Sequence, residues 1–143
     1  MKKLLLFLPI ILILSCNSEG DNSTIENNCD FTSEIILEED FNAINTSNYG
    51  IIEVELNGDC LEITFGSSGC GTDLWEENLY STDAFYNVFP LQRDVKMELI
   101  NDETCLAFFQ KTVSFDLTPF QIDGQSDLPL NINGWNEQIT YGY

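Results

Sequence analysis

Apolar and polar residues alternate with a period of two along much of this chain. Ile52, Val54 and Leu56 alternate with Glu53 and Glu55, and Leu61, Ile63 and Phe65 alternate with Glu62 and Thr64. Side chains of a strand point to opposite faces in turn, so each run predicts a strand with one dry and one wet face. Asn57-Gly58 stands between them, and both residues tolerate the positive φ that a tight hairpin turn demands. Gly66-Ser67-Ser68-Gly69 then predicts a turn into a strand over Leu74–Tyr80. Val95, Met97 and Leu99 alternate with Lys96 and Glu98, and Asn101-Asp102-Glu103 predicts the next turn.

A long strand is predicted from Cys105 to Leu117. Leu106 and Phe108 share one phase while Val113, Phe115 and Leu117 share the other, which predicts a bulge near Phe109 to Lys111. The last pair is Leu128, Leu130 and Ile132, then Asn133-Gly134, then Ile139, Tyr141 and Tyr143. No window carries a helical stripe of 12 residues or more. About seven short strands with turns between them predict an all-β fold, an antiparallel two-sheet sandwich of immunoglobulin-like type. That domain is expected over residues 29–143, without repeats or a second domain.

The first residues follow another pattern. Lys2 and Lys3 precede an unbroken apolar run from Leu4 to Leu14 that contains Pro9. A bilayer-spanning helix needs about 20 apolar residues, so this run is too short to span. It has the form of a secretory signal. Ile13-Leu14-Ser15-Cys16 resembles the lipobox of lipoprotein processing: an aliphatic residue, a small residue, then the cysteine that receives lipid. Residues 1–15 are therefore expected to be a cleaved leader and Cys16 the lipidation site, tying the protein to a membrane without spanning it. Residues 17–28 hold one apolar side chain, Ile25, and are expected to form a flexible acidic tether.

Charge changes the picture next. The 143 residues carry 24 carboxylates and no histidine. Loss of Lys2 and Lys3 with the leader leaves Arg93, Lys96 and Lys111 against those 24, a formal charge of −21. A field of that sign repels nucleic acid and attracts cations or basic proteins. Without histidine, Ser-His-Asp and Cys-His catalysis and histidine-based metal sites are excluded. Four cysteines remain after lipidation, Cys29, Cys60, Cys70 and Cys105. An even number in an exported domain implies two disulfides, with three possible connectivities. Cys60 and Cys70 stand at opposite ends of a predicted strand, which makes their pairing the least favoured, since the Cα atoms of a disulfide lie about 4.4–6.8 Å apart.

From Asp59 to Phe120 the chain resembles a group of small uncharacterised Bacteroidetes lipoproteins of flavobacterial type. The matching segments are Ser68-Gly69-Cys70, Cys105-Leu106-Ala107 and Ser114-Phe115-Asp116-Leu117-Thr118-Pro119-Phe120. Ser68 stands where that group has glycine, and Thr72-Asp73-Leu74 stands where it often has a histidine. Ser18-Glu19-Gly20-Asp21 resembles the acidic export signal of Bacteroidetes surface lipoproteins, and reads equally as a solvated linker. The resemblance implies an outer-membrane lipoprotein, facing the periplasm or the surface, and no particular activity. It carries Cys70 and Cys105, each also at the start of a strand. Cys70–Cys105 with Cys29–Cys60 is therefore the expected pairing.

Chemistry is sparse. Asp123-Gly124-Gln125-Ser126-Asp127 resembles the start of a calcium loop, making Asp123 and Asp127 weak calcium candidates. Leu128 and Gly134 fall where that loop needs glycine and glutamate, so an Asp-Gly turn explains the residues without metal. Glu38-Glu39-Asp40 with Asn42 reads as an acidic loop or strand edge. Trp75, Tyr80, Tyr86 and Trp135 are candidate binding aromatics for a glycan or protein partner, against a plain packing role. The expected function is a non-catalytic, membrane-anchored binding or accessory module without a cofactor. Alternatives are an anionic inhibitor or sink of cationic proteins such as lysozyme-like enzymes, and a small hydrolase.

Overall fold

The computed structural model describes residues 29–85 and 88–143. The lipobox, the proposed tether and Tyr86 lie outside the described residues. Among the described residues nine strands form two mixed sheets that enclose one core. Strands β3 (Gly50–Asn57) and β4 (Cys60–Gly69) make the expected hairpin. Asn57 pairs with Cys60, so the turn's central residues are Gly58 and Asp59 rather than Asn57 and Gly58. Only Gly58 has positive φ, +61°. The turn thus has its glycine first, as in type II′, and needs no second left-handed residue.

The first sheet runs β1 (Phe31–Thr32), β7 (Ala107–Asp116), β4, β3. The second runs β2 (Glu34–Ile36), β5 (Glu76–Thr82), β6 (Arg93–Ile100), β8 (Asp127–Ile132), β9 (Ile139–Gly142). Inward residues follow the alternation read from the sequence except at Ile52 and Tyr143, which are exposed; Ile51 packs on the core in place of Ile52. Leu61, Ile63, Phe65, Val113 and Phe115 come from one sheet and Leu79, Val95, Met97, Leu99, Leu128, Leu130 and Tyr141 from the other. An ion pair crosses this interior: Lys111 Nζ of β7 lies 2.7 Å from Glu77 Oε1 of β5, whose side chain is buried.

The all-antiparallel, immunoglobulin-like expectation is corrected in three places. β1 pairs with β7, β2 with β5 and β6 with β8, all in parallel. β1 and β2 are one extended stretch that changes sheet at Ser33. The buried Ser33 donates its backbone N–H (3.1 Å) and its hydroxyl (2.7 Å) to the Asp116 carbonyl oxygen. β6 and β8 run parallel because the chain between them passes through the opposite sheet as β7. It returns by a 3-10 turn at Thr118–Phe120 that buries Phe120 completely.

The bulge expected near Phe109 to Lys111 is absent, since β4 and β7 pair in unbroken register from Cys60↔Asp116 to Gly69↔Ala107. The register shift lies in β3, between Ile51 and Glu53. Leu106 and Phe108 are out of phase because they sit outside the core, 92% and 63% exposed. The Phe108 ring lies over Gly66, where an added Cβ would meet the end of that ring. A side chain at this position would need the exposed Phe108 ring to move aside.

Both expected disulfides are present. Cys29–Cys60, with Cα atoms 5.6 Å apart, ties the lead into β1 to the β3–β4 turn. Cys70–Cys105, at 4.9 Å, joins the end of β4 to the lead into β7. A short helix, α1 (Glu38–Ala43), was not foreseen; Glu38, Glu39 and Asp40 form its first turn and Phe41 is its buried residue.

Candidate functional site: a polar groove on the outer face of the second sheet

On β6 the inward side chains are Val95, Met97 and Leu99, so Asp94 and Lys96 face outward. Asn131 of β8 pairs with Asp94 and shares that outer face. α1 lies beside this surface and closes one side of it. Lys96 Nζ donates to the Phe41 carbonyl oxygen at 2.8 Å and sits 4.6 Å above the centre of the Phe41 ring. The helix is thus held from the floor below by a cation–aromatic contact as well as by burial of Phe41.

The opposite wall is the connection between β8 and β9. It begins with the Asn133-Gly134 turn, where Trp135 N–H donates to the Ile132 carbonyl oxygen at 3.0 Å and Gly134 has φ of +86°. Positive φ at Gly134 alone fits a type II turn, not the two-residue hairpin that Asn-Gly suggested. The strands pair as Leu130↔Ile139, so the loop has room to fold over the sheet edge. Asn133 N–H donates to the Val95 carbonyl oxygen at 2.8 Å and fastens the loop's start to β6. Trp135 packs against the core and also lines the space between loop and helix.

That space is a groove of about 440 Å³ lined by Phe41, Asn42, Asp94, Lys96, Asn131 and Trp135, with Asn136, Glu137 and Gln138 along the loop. Small-molecule pockets range over roughly 300–1,000 Å³, so the groove is of ligand size. Its floor is held by a chain of side-chain hydrogen bonds. Asn131 Nδ2 donates to Asp94 Oδ1 at 3.2 Å and to Gln92 Oε1 at 3.3 Å, and Gln138 Nε2 donates to Asn131 Oδ1 at 2.8 Å. The amides are therefore fixed in orientation before anything binds. Trp135 Nε1 is buried with no hydrogen-bond partner among the described residues.

The other expected site residues are dispersed. Trp75 is 4% exposed; its ring stacks 5.7 Å from Phe65 and its N–H donates to Glu103 Oε2 at 3.2 Å. That is a core position, and the binding expectation for Trp75 is corrected. Tyr80 is half-buried on the outer face of the second sheet, between Glu34 of β2 and Lys96 of β6. Burial chiefly, and then Glu98 and Glu34, raise its phenol above the usual range. Asp123 and Gly124 form a turn, with Gln125 N–H donating to the Ile122 carbonyl oxygen at 3.1 Å and Gly124 at φ +81°. Asp127 opens β8 and accepts from the Ser126 hydroxyl at 3.2 Å. Among the described residues no group of three or more acidic or cysteine side chains is placed to hold a metal ion. The four cysteines act as two cross-links.

Sequence reading missed Asn42, Asp94, Lys96, Asn131 and Gln138 as site residues. Of these only Asn131 carried a signal, a polar residue set between Leu130 and Ile132 beside an aromatic-bearing turn.

No protein-family model matches the sequence, and no curated protein matches it. Two solved structures match this chain, and the first shares the fold. A protein of unknown function, DUF1344, from Bacteroides vulgatus ATCC 8482 is 15% identical with a TM-score of 0.53 over 79% of this chain. A "Putative TOXIN related protein" from Parabacteroides distasonis ATCC 8503 is 15% identical with a TM-score of 0.49 over 78% of this chain. This chain spans 56% of the first and 61% of the second. The first likeness is one of fold alone, and it is to a Bacteroides protein.

Proposed function

We propose that this protein is a lipid-anchored envelope module that binds a ligand in the groove between α1 and the β8–β9 connection and catalyses nothing. The observation that carries the reading is the groove's construction. A ligand-sized hollow has amide side chains fixed on its floor and an indole in its wall. Such preorganised polar groups are what a binding site needs and what a solvated surface lacks. The lipobox at Cys16 and the two disulfides support an exported, membrane-held protein, as outer-membrane or surface lipoproteins are. Absence of histidine and pairing of all four described cysteines remove the usual nucleophile and base.

A second reading is favoured by the outer face of the first sheet. Glu55 and Glu62 stand directly opposite across the β3–β4 ladder, with Glu53 beside them. Like charges so placed repel one another, and a basic protein would relieve that repulsion. On this reading the protein is an anionic sink for cationic proteins.

Photo-reactive residues at Asn136 and at Glu55, introduced separately in living cells, distinguish the two. The groove reading predicts adducts from Asn136 that persist at high salt, and none from Glu55. Adducts from Glu55 alone, with a basic protein, would install the anionic reading instead. Repurified protein that still turns over a sugar, peptide or ester substrate would refute the non-catalytic claim.

A further inference from the structure

We propose that the ligand of this groove is a neutral carbohydrate chain, lying across the Asp94–Asn131–Gln138 floor with a sugar face against Trp135. This rests on the groove being the working surface, and it adds what that surface selects. Three features of the walls converge on carbohydrate.

The first is the donor and acceptor set. Asn42, Asn131, Asn136 and Gln138 line the groove together with Asp94 and Glu137. An amide both donates and accepts, and a carboxylate accepts from two directions. Adjacent sugar hydroxyls ask for that mixture, since each offers one donor and two acceptor positions. Asn131 is already bonded to Asp94 and to Gln138, so their orientation costs a ligand little ordering.

The second is charge. Among the described residues that line the groove, Lys96 is the one cation, and its ammonium is engaged by the Phe41 carbonyl oxygen and ring. Asp94 and Glu137 stand on the same surface. An anionic ligand, whether nucleotide, phosphate or uronate, would meet carboxylates and a committed lysine. A neutral ligand meets no such opposition.

The third is the indole. Trp135 is anchored on the core on one side and exposed to the groove on the other, so its position is fixed. A sugar ring has an apolar face of C–H groups that packs on an aromatic plane, while its hydroxyls reach sideways to the amides. Amide and indole thus address two parts of one kind of molecule.

The test is a titration of the full chain, in a detergent without sugar headgroups, with hexasaccharides of β-linked glucose, α-linked glucose, mannose, xylose and N-acetylglucosamine. Oligogalacturonate and oligolysine serve as charged arms. Tryptophan fluorescence reports on the groove, because Trp75 is buried and Trp135 is not. At least one neutral hexasaccharide is expected to give a saturable change that a tenfold rise in salt leaves intact. Trp135→Ala, which removes the fluorescent reporter and is therefore followed by titration calorimetry, should weaken it at least tenfold. Gln138→Ala, on an exposed side chain that leaves folding undisturbed, should weaken it several-fold with an unchanged melting temperature. Saturable binding of either charged oligomer at the groove, with none by the neutral set, would overturn the carbohydrate assignment and keep the groove. No response from any of the seven probes, with the Asn136 photo-adduct present, would also overturn it. Absence of both would overturn the groove as well.

Discussion

Two tyrosines hold their hydroxyls inside the sandwich and make its stability sensitive to alkali. Tyr49 donates to the Met97 carbonyl oxygen at 2.6 Å, and burial pushes its phenol up to about 12. Tyr141 donates to Asp59 Oδ1 at 2.6 Å and accepts from Gln121 Nε2 at 2.8 Å. Burial first, then the Asp59 bond, raises it well above the usual phenol range. A group whose folded pKa lies above its unfolded value stabilises fully below the unfolded value, here 10.0, and that contribution is lost as pH rises through the folded one. The denaturation midpoint is therefore expected to fall between about pH 10 and 12, and Tyr49→Phe should flatten part of that fall. An identical alkaline slope in Tyr49→Phe would show that the hydroxyl does not ionise on unfolding.

At the same scale, Glu77 and Lys111 illustrate a pair easily broken and easily replaced. Glu77 Oε2 is buried without a hydrogen-bond partner among the described residues, so Lys111 offsets a carboxylate that has little other support. Lys111→Ala should cost about 3 kcal/mol by denaturant unfolding, because it strands that charge. Glu77→Leu with Lys111→Met should restore stability to near the parent value, since apolar side chains of similar size need no partner. A double variant as unstable as Lys111→Ala would mean that the pair contributes more than its own desolvation.

At the scale of elements, the two disulfides close loops of 31 and 35 residues. Chain-entropy arithmetic assigns each roughly 4 kcal/mol, almost equally. Replacing either pair by serines should therefore lower the melting temperature by a similar amount, and non-reducing peptide mapping should link Cys29 to Cys60 and Cys70 to Cys105. A peptide joining Cys60 to Cys70 would contradict the fold. Strands β3, β4, β6, β7 and β8 were legible because each has one dry and one wet face, which writes a period of two into the sequence. Ser33 was not legible, since a strand that changes sheets also changes its dry face and breaks the alternation. Nor was α1, whose six residues show barely one turn of pattern around Phe41 and are held by Lys96 from a distant strand. Leu106 and Phe108 misled, because apolar residues on the wet face mimic a shift of phase.

At the scale of the molecule, the proposed anchoring and the proposed binding are tested separately. A fatty-acid probe fed to cells should label the protein, and Cys16→Ala should remove both the label and membrane fractionation while leaving the domain folded. Unlabelled, soluble wild-type protein would contradict the lipobox reading. Of the candidate site, Trp135 was legible as an aromatic just past an Asn-Gly turn. Asp94 and Gln138 were not, and Asn131 showed only as a polar residue within an apolar run, because the three come from separate segments and acquire meaning only when β6, β8 and the loop converge.

The most direct test of the central claim is a map of backbone and indole chemical shifts on titration with soluble envelope extract and with the oligosaccharides above. The groove account predicts shifts at residues 41–42, 94–96 and 131–138, with the Trp135 indole N–H moving and the Trp75 indole N–H still. Shifts confined to residues 53–62 on the outer face of the first sheet, or a Trp135 signal unmoved by every fraction, would contradict it.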